Sequence, residues 1–212
     1  ILKHAVENSL TDALPPIPRV GKIKNNPRPW LTKSEWQHLR HVAKQRIQAA
    51  PNRRTQSQRQ DVFDAMEFMI ASMIRVDEMY ALRFSACTVQ NNSSGHEFLA
   101  CEITGKQGTR TAIAKAAVVR VYRRRLAAAT ASGNQSDLMF PQKCRDAFRE
   151  LLKAASLRVD RQGFTRNMKS LRATSISLFI LEQPELNLQV IARNAGTSVQ
   201  MIDLPHPEGE AR

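Results

Sequence analysis

The chain has 212 residues, and 32 Lys+Arg against 19 Asp+Glu give it a formal charge of +13. That length allows one domain with part of a second, and a core large enough to need no disulfide staples. Hydrophobic residues make up 42% and charged residues 24%, which excludes a disordered polyelectrolyte, and no apolar run of about 18 residues exists to form a membrane-spanning helix. The opening ILKHAVENSL has neither the charged start nor the cleavage site of a signal peptide, so the reading expects a cytoplasmic protein. Cys87, Cys101 and Cys144 are odd in number and fit neither a zinc site nor a disulfide framework, so reduced thiols are expected. The excess of positive charge points to a polyanion, and a basic domain of this kind fits nucleic acid better than a lipid surface.

In chain order, residues 1–10 read as the end of a helix, and 11–30 as a linker, because TDALPPIPRVGKIKNNPRP carries five prolines among basic residues. Thr32, three residues before Glu35, predicts a capping box that starts a helix with Trp36, Leu39 and Val42 at helical spacing. A second helix is predicted over 54–73, with Phe63, Met66, Met69 and Ile70 as its apolar stripe. Three β-like runs follow, 84–89, 97–104 and 109–114. They are separated by turns at Asn91–Gly95 and Gly105–Gly108, and predict a three-stranded antiparallel sheet. The remainder reads as helices over 115–131, 142–157, 166–182, 186–194 and 198–203, so the fold class is α+β and mainly α-helical.

Three islands carry residue types suited to chemistry. In IRVDEMYALRF, Arg75 precedes Glu78 by three residues, a spacing that alone reads as a surface ion pair on a helix. In ITGKQGTRTAIA, Lys106 sits at a predicted hairpin tip between Gly105 and Gly108. In KSLRATSISL, Lys169 and Arg172 lie three apart, on one helical face. The basic run Arg123–Arg125 reads as a solvated helix face, with tracking of a DNA backbone as the alternative.

Taken together and in this order, the islands resemble the tyrosine recombinases, or phage integrases, over residues 31–203. IRVDEMYALRF resembles the box of the family's first arginine, and TGKQGTRTAIA resembles the hairpin with its catalytic lysine. KSLRAT resembles the His/Lys-x-x-Arg box, and NAGTSVQMID the start of the last box, with Thr197 at its His/Thr position. The resemblance implies the end of a core-binding domain over 1–10, a linker over 11–30, a catalytic domain over 31–203 and an altered tail over 204–212. It implies duplex DNA as partner and a homo-oligomer, four protomers in the synapse of intact relatives, with no membrane, no small-molecule substrate, no metal and no other cofactor. It also implies roles: Arg75 and Arg172 clamping the phosphate oxygens, Lys106 protonating the departing 5′-oxygen, Lys169 in proton transfer, and Glu78 and Thr197 in support.

The nucleophile departs from the pattern. The family's tyrosine is expected nine residues after the His/Thr position, where this chain has His206 in MIDLPHPEGEAR. The only tyrosines are Tyr80, inside the first box, and Tyr122, on the basic helix, and both read as packing residues. The expectation is a recombination or integration domain of phage or mobile-element type that binds DNA phosphates and does not cleave. The alternative is a regulatory DNA-binding protein derived from an integrase.

Overall fold

The computed structural model describes residues 28–105, 108–133 and 136–202. Helix α1 (Lys33–Gln48) begins as its sequence dictates: Thr32 Oγ1 accepts from the Glu35 amide at 3.2 Å, and the Glu35 carboxylate accepts from the Thr32 amide at 2.9 Å. This reciprocal cap satisfies two amides that the first turn leaves without partners. Asn52 caps α2 (Arg53–Ser72) in a similar way, through Thr55 N at 2.9 Å. Helix α2 is the central element, burying Val62, Ala65, Met66, Phe68 and Met69 along one stripe.

Met73 ends α2 in the left-handed region at φ 60° and is nearly fully buried. A non-glycine residue there costs about 1 kcal/mol. The turn redirects the chain so that Arg75 becomes the residue before a short helix, α3 (Val76–Ala81).

The sheet is antiparallel, in the order β1 (Cys87–Asn91), β2 (Glu97–Gly105), β3 (Gly108–Ala114). The first strand is shorter than the predicted run 84–89, because Phe84–Ala86 forms a 3₁₀ turn. Asp137 takes up this segment: its carbonyl accepts from Phe84 N at 2.8 Å and its carboxylate accepts from the Ser85 hydroxyl. The backbone is thus tied to the 137–139 connector instead of to the ladder.

Helices α4 (Ala117–Ala131), α5 (Arg145–Ala154), α6 (Met168–Glu182), α7 (Leu188–Ala195) and α8 (Val199–Ile202) complete the fold, with most ends a few residues inside the predicted spans. Helices α1, α4, α5 and α6, together with β3, pack on α2, and Phe68 meets Phe140 edge to face at 5.2 Å. A smaller apolar cluster, with Met73, Ile176, Ile191 and Ile202, joins the end of α2 to α6, α7 and α8. Among the described residues no helix is long and apolar enough to cross a membrane.

All three cysteines are buried and unbridged. Cys87 and Cys101 face each other across β1 and β2 with their sulfurs 3.5 Å apart. The Cys87 contact, and then burial, push the Cys101 thiol far above its ordinary range, which suits an unreactive core thiol.

In the basic run Arg123–Arg125, Arg123 and Arg124 are exposed, as expected of a solvated face, whereas Arg125 is mostly buried, and all three are paired. Arg123 pairs with Glu97, Arg124 pairs with Asp64, and Arg125 pairs with Asp61 at 2.8 Å. Arg125 also donates to Met139 O at 2.6 Å and lies 4.5 Å over the Phe140 ring. Arg124 and Arg125 tie α4 to α2, and Arg125 ties it to the connector as well. The expected end of a helix over 1–10, most of the linker over 11–30 and the tail over 204–212 lie outside the described residues.

Candidate functional site

Three elements bring charged side chains to one place, the turn into α3, the start of β3 and α6, and the C-terminus of α7 adds backbone carbonyls. The organising residue is Glu78, whose side chain is only 6% exposed. This corrects the expectation of a surface ion pair. Arg75 reaches Glu78 twice, through its amide to Oε2 at 2.8 Å and through Nη1 to Oε1 at 2.9 Å. Arg110, from β3, holds the same carboxylate in a fork, Nη1 to Oε1 at 3.0 Å and Nη2 to Oε2 at 2.9 Å. Burial alone would raise the Glu78 carboxyl. The Arg110 hydrogen bonds, the Arg75 amide and the Arg110 charge together outweigh it and hold the group at about 2.

Both arginines are also fastened to the end of α7. Arg75 Nη2 donates to Gly196 O at 2.6 Å, and Arg110 reaches Asn194 O at 3.4 Å and Ala195 O at 3.3 Å. The free carbonyls of a helix C-terminus are natural acceptors for guanidinium groups. Gly196 is required here for two reasons: its φ of 65° is left-handed, and a Cβ would fall on the Arg110 guanidinium. Asn194 also ties α7 to β3, accepting from Ile113 N at 2.6 Å and donating to Ile113 O at 3.2 Å.

Arg172 lies beside this network on α6. Its Nη1 is buried and has no hydrogen-bond partner among the described residues. Burial, and then the charge of Arg75, push its guanidinium down to about 10; Arg110 and Arg28 act in the same direction and Glu78 opposes them. A buried cationic donor with no acceptor, set among further cations, is a costly arrangement in an empty pocket. An anion at Nη1 would relieve both the unmade hydrogen bond and the repulsion.

The other expected site residues are placed as follows. Lys169 is exposed in the first turn of α6, three residues before Arg172, and its amide donates to Asn167 Oδ1 at 2.9 Å. The amide of Thr197 donates to Ala192 O at 2.9 Å, next to the Gly196 carbonyl that Arg75 grips. Lys106 lies outside the described residues. Gly105, just before it, packs so close to Glu78 that a Cβ would sit 3.3 Å from Oε1, so the turn starts beside the network. His206 also lies outside the described residues. Tyr80 is partly buried, its hydroxyl accepting from Cys144 N at 2.8 Å and meeting Met168 Sδ at 3.3 Å, and burial raises its phenol. Tyr122 packs edge to face on Phe84 with ring centroids 6.0 Å apart.

Arg110 was missed in the sequence, yet a signal was present. The period-two alternation of GTRTAIA puts Arg110 on the same face as Ala112 and Ala114, both fully buried.

No protein-family model matches the sequence, and no curated protein matches it. The architecture is nevertheless that of known structures. The XerH site-specific recombinase bound to difH substrate in a pre-cleavage complex superposes with a TM-score of 0.65 at 15% identity, over 88% of this chain and 53% of that one. XerA recombinase superposes with a TM-score of 0.58 at 14% identity, over 84% of this chain and 58% of that one. A lambda integrase dimer bound to a COC' core site superposes with a TM-score of 0.56 at 13% identity, over 99% of this chain and 58% of that one. The chain therefore has the catalytic-domain fold of the tyrosine recombinases, helical with a three-stranded antiparallel sheet, and it spans about half the length of these structures.

Proposed function

We propose that this chain is the DNA-binding catalytic-domain portion of a site-specific recombinase or integrase, and that it holds a DNA phosphate without cutting it. The observation that carries this reading is the buried, unpartnered Nη1 of Arg172 beside Arg75. A phosphodiester oxygen is a fitting acceptor, and two guanidiniums can bind the two non-bridging oxygens together. Glu78 and Arg110 do not face the phosphate in this scheme. They fix the Arg75 guanidinium, so that little ordering remains to be done on binding.

In the reaction that this pocket chemistry serves, a tyrosine phenolate attacks the phosphorus, the 5′-oxygen leaves with a proton from Lys106, and a 3′-phosphotyrosine forms. Lys169 assists the proton transfer and Thr197 supports the pocket. The arginines supply the charge, so the reading includes neither a metal nor any other cofactor. His206 stands where the attacking tyrosine is expected, and Tyr80 and Tyr122 are committed to packing, which supports binding without cleavage. Duplex DNA is the proposed partner, in a homo-oligomer on DNA, and a cytoplasmic, nucleoid-associated location follows from that partner.

Incubation with supercoiled plasmid, resolved on a denaturing gel beside the His206→Tyr variant, tests this reading. The expected result is salt-sensitive DNA binding with no covalent adduct from the unaltered chain. An adduct from that chain would overturn the cleavage-defective assignment, and an absence of DNA binding would overturn the function as a whole.

A further inference from the structure

The segment that leads into α1 is stitched to the helix that carries Arg172. Leu31 N donates to Thr174 Oγ1 at 2.9 Å in a buried hydrogen bond, two residues along α6 from Arg172. The buried Arg166, just before α6, donates from Nε to Trp30 O at 3.1 Å and forks onto the Glu35 carboxylate at 3.0 and 2.9 Å. Two successive residues are thus pinned, and Arg28 precedes Leu31 by three residues, a reach of at most about 10 Å. Pro29 locks its own φ and confines Arg28 to extended backbone, so the direction of the segment is restricted as well.

Arg28 is exposed, and among the described residues no side chain pairs with it. Its charge reaches Arg172, adding to the repulsion already caused by Arg75 and Arg110. Arg75 and Arg110 share Glu78, whereas Arg28 has no carboxylate partner among the described residues. A second cation whose charge reaches a buried, unsatisfied one makes an anion between them favourable.

We propose that Arg28 is a third guanidinium of the phosphate site, contributed by the linker and contacting the DNA backbone at the phosphate gripped by Arg75 and Arg172. This rests on the reading of the pocket as a DNA-phosphate site. It makes the linker part of the binding machinery as well as a tether, and DNA that engages the pocket also fixes where the linker leaves the domain.

The test is a salt titration of binding to a short fluorescent duplex, followed by anisotropy, for the unaltered chain, Arg28→Ala, Arg28→Lys, Arg53→Ala, Arg172→Ala and the Arg28→Ala/Arg172→Ala double variant. Loss of one phosphate contact lowers the salt slope by about 0.9 and the affinity about eightfold near 0.1 M salt. Arg28→Ala is expected to show that loss with an unchanged melting temperature, and Arg28→Lys to recover most of it. The double variant is expected to lose less than the product of the single losses, because both residues serve one phosphate. Arg53, at the far end of α2 and about 29 Å along the helix from Ser72, reports the effect of net charge alone. An Arg28→Ala slope equal to that of the unaltered chain, an equal loss from Arg53→Ala, or multiplicative losses in the double variant would each overturn the role of Arg28 and leave the phosphate pocket standing. If the unaltered chain shows no salt-dependent binding, the pocket reading falls and Arg28 falls with it.

Discussion

Two arginine clusters among the described residues are built in opposite ways. On α4, Arg123, Arg124 and Arg125 stand in a row in the sequence, and each has its own carboxylate in the structure. Around α3 and α6, Arg75, Arg110 and Arg172 come from distant parts of the chain and share one carboxylate, Glu78. The conspicuous run is structural, and the dispersed set is left short of negative charge. What marks a candidate anion site is therefore the uncompensated remainder after the protein's own carboxylates and carbonyls are counted, rather than local density of positive charge.

The largest effect that would sharpen this comparison is at Glu78. Glu78→Gln leaves two partly buried arginines facing a neutral amide and is expected to cost about 3 kcal/mol in denaturant unfolding. The same residue sets an acid signature. Its folded carboxyl titrates near 2 against an ordinary 4.5, so its contribution is fully present above about pH 4.5 and is lost as the pH falls towards 2. Stability measured across that window should fall less steeply in Glu78→Gln, and an unchanged slope would remove the ion-pair account.

Arg125→Met comes next. It breaks contacts to Asp61, Asp64 and Met139 O in a mostly buried place, and is expected to cost about 2 kcal/mol while leaving the salt slope of DNA binding unaltered. A reduced slope would show that the α4 cluster also touches DNA, and the contrast between the two clusters would collapse.

Arg172→Met should behave in the reverse manner. Removing a buried cation that lacks a partner is expected to leave stability unchanged or raise it by about 1 kcal/mol, while DNA affinity falls about tenfold. Loss of stability together with retained binding would assign Arg172 to the core. The smallest effect is expected at the exposed pair Arg123–Glu97, where Arg123→Ala should leave the melting temperature and DNA binding unchanged within error.

Much of the fold was legible because its signals are local. The Thr32–Glu35 cap, the apolar stripe of α2 and the glycine-flanked hairpin each depend on residues a few positions apart. The 3₁₀ turn at Phe84–Ala86 was not legible, because the group that takes its amide, Asp137, is more than 50 residues away. The same distinction runs through the site. Arg75, Glu78 and Arg172 were found by motif, but the burial of Glu78 comes from Arg110 and Gly105, which only the sheet brings to it. The ion pairs of Arg124 and Arg125 were missed because Asp61 and Asp64 lie on α2, some 60 residues earlier.

Arg166 ties together Trp30, Glu35, Leu157 and Val159 and so closes long loops, with partners up to 136 residues away. A ribosome adding about 10 residues per second takes roughly 13 seconds to travel from Glu35 to Arg166. For that interval α1 has its cap and can pack on α2, but the Glu35 carboxylate lacks its Arg166 partner. The fastening of α1 is therefore finished only after residue 166 has been made. The arginine that arrives late locks the first helix, and it does so six residues before the one that awaits the phosphate.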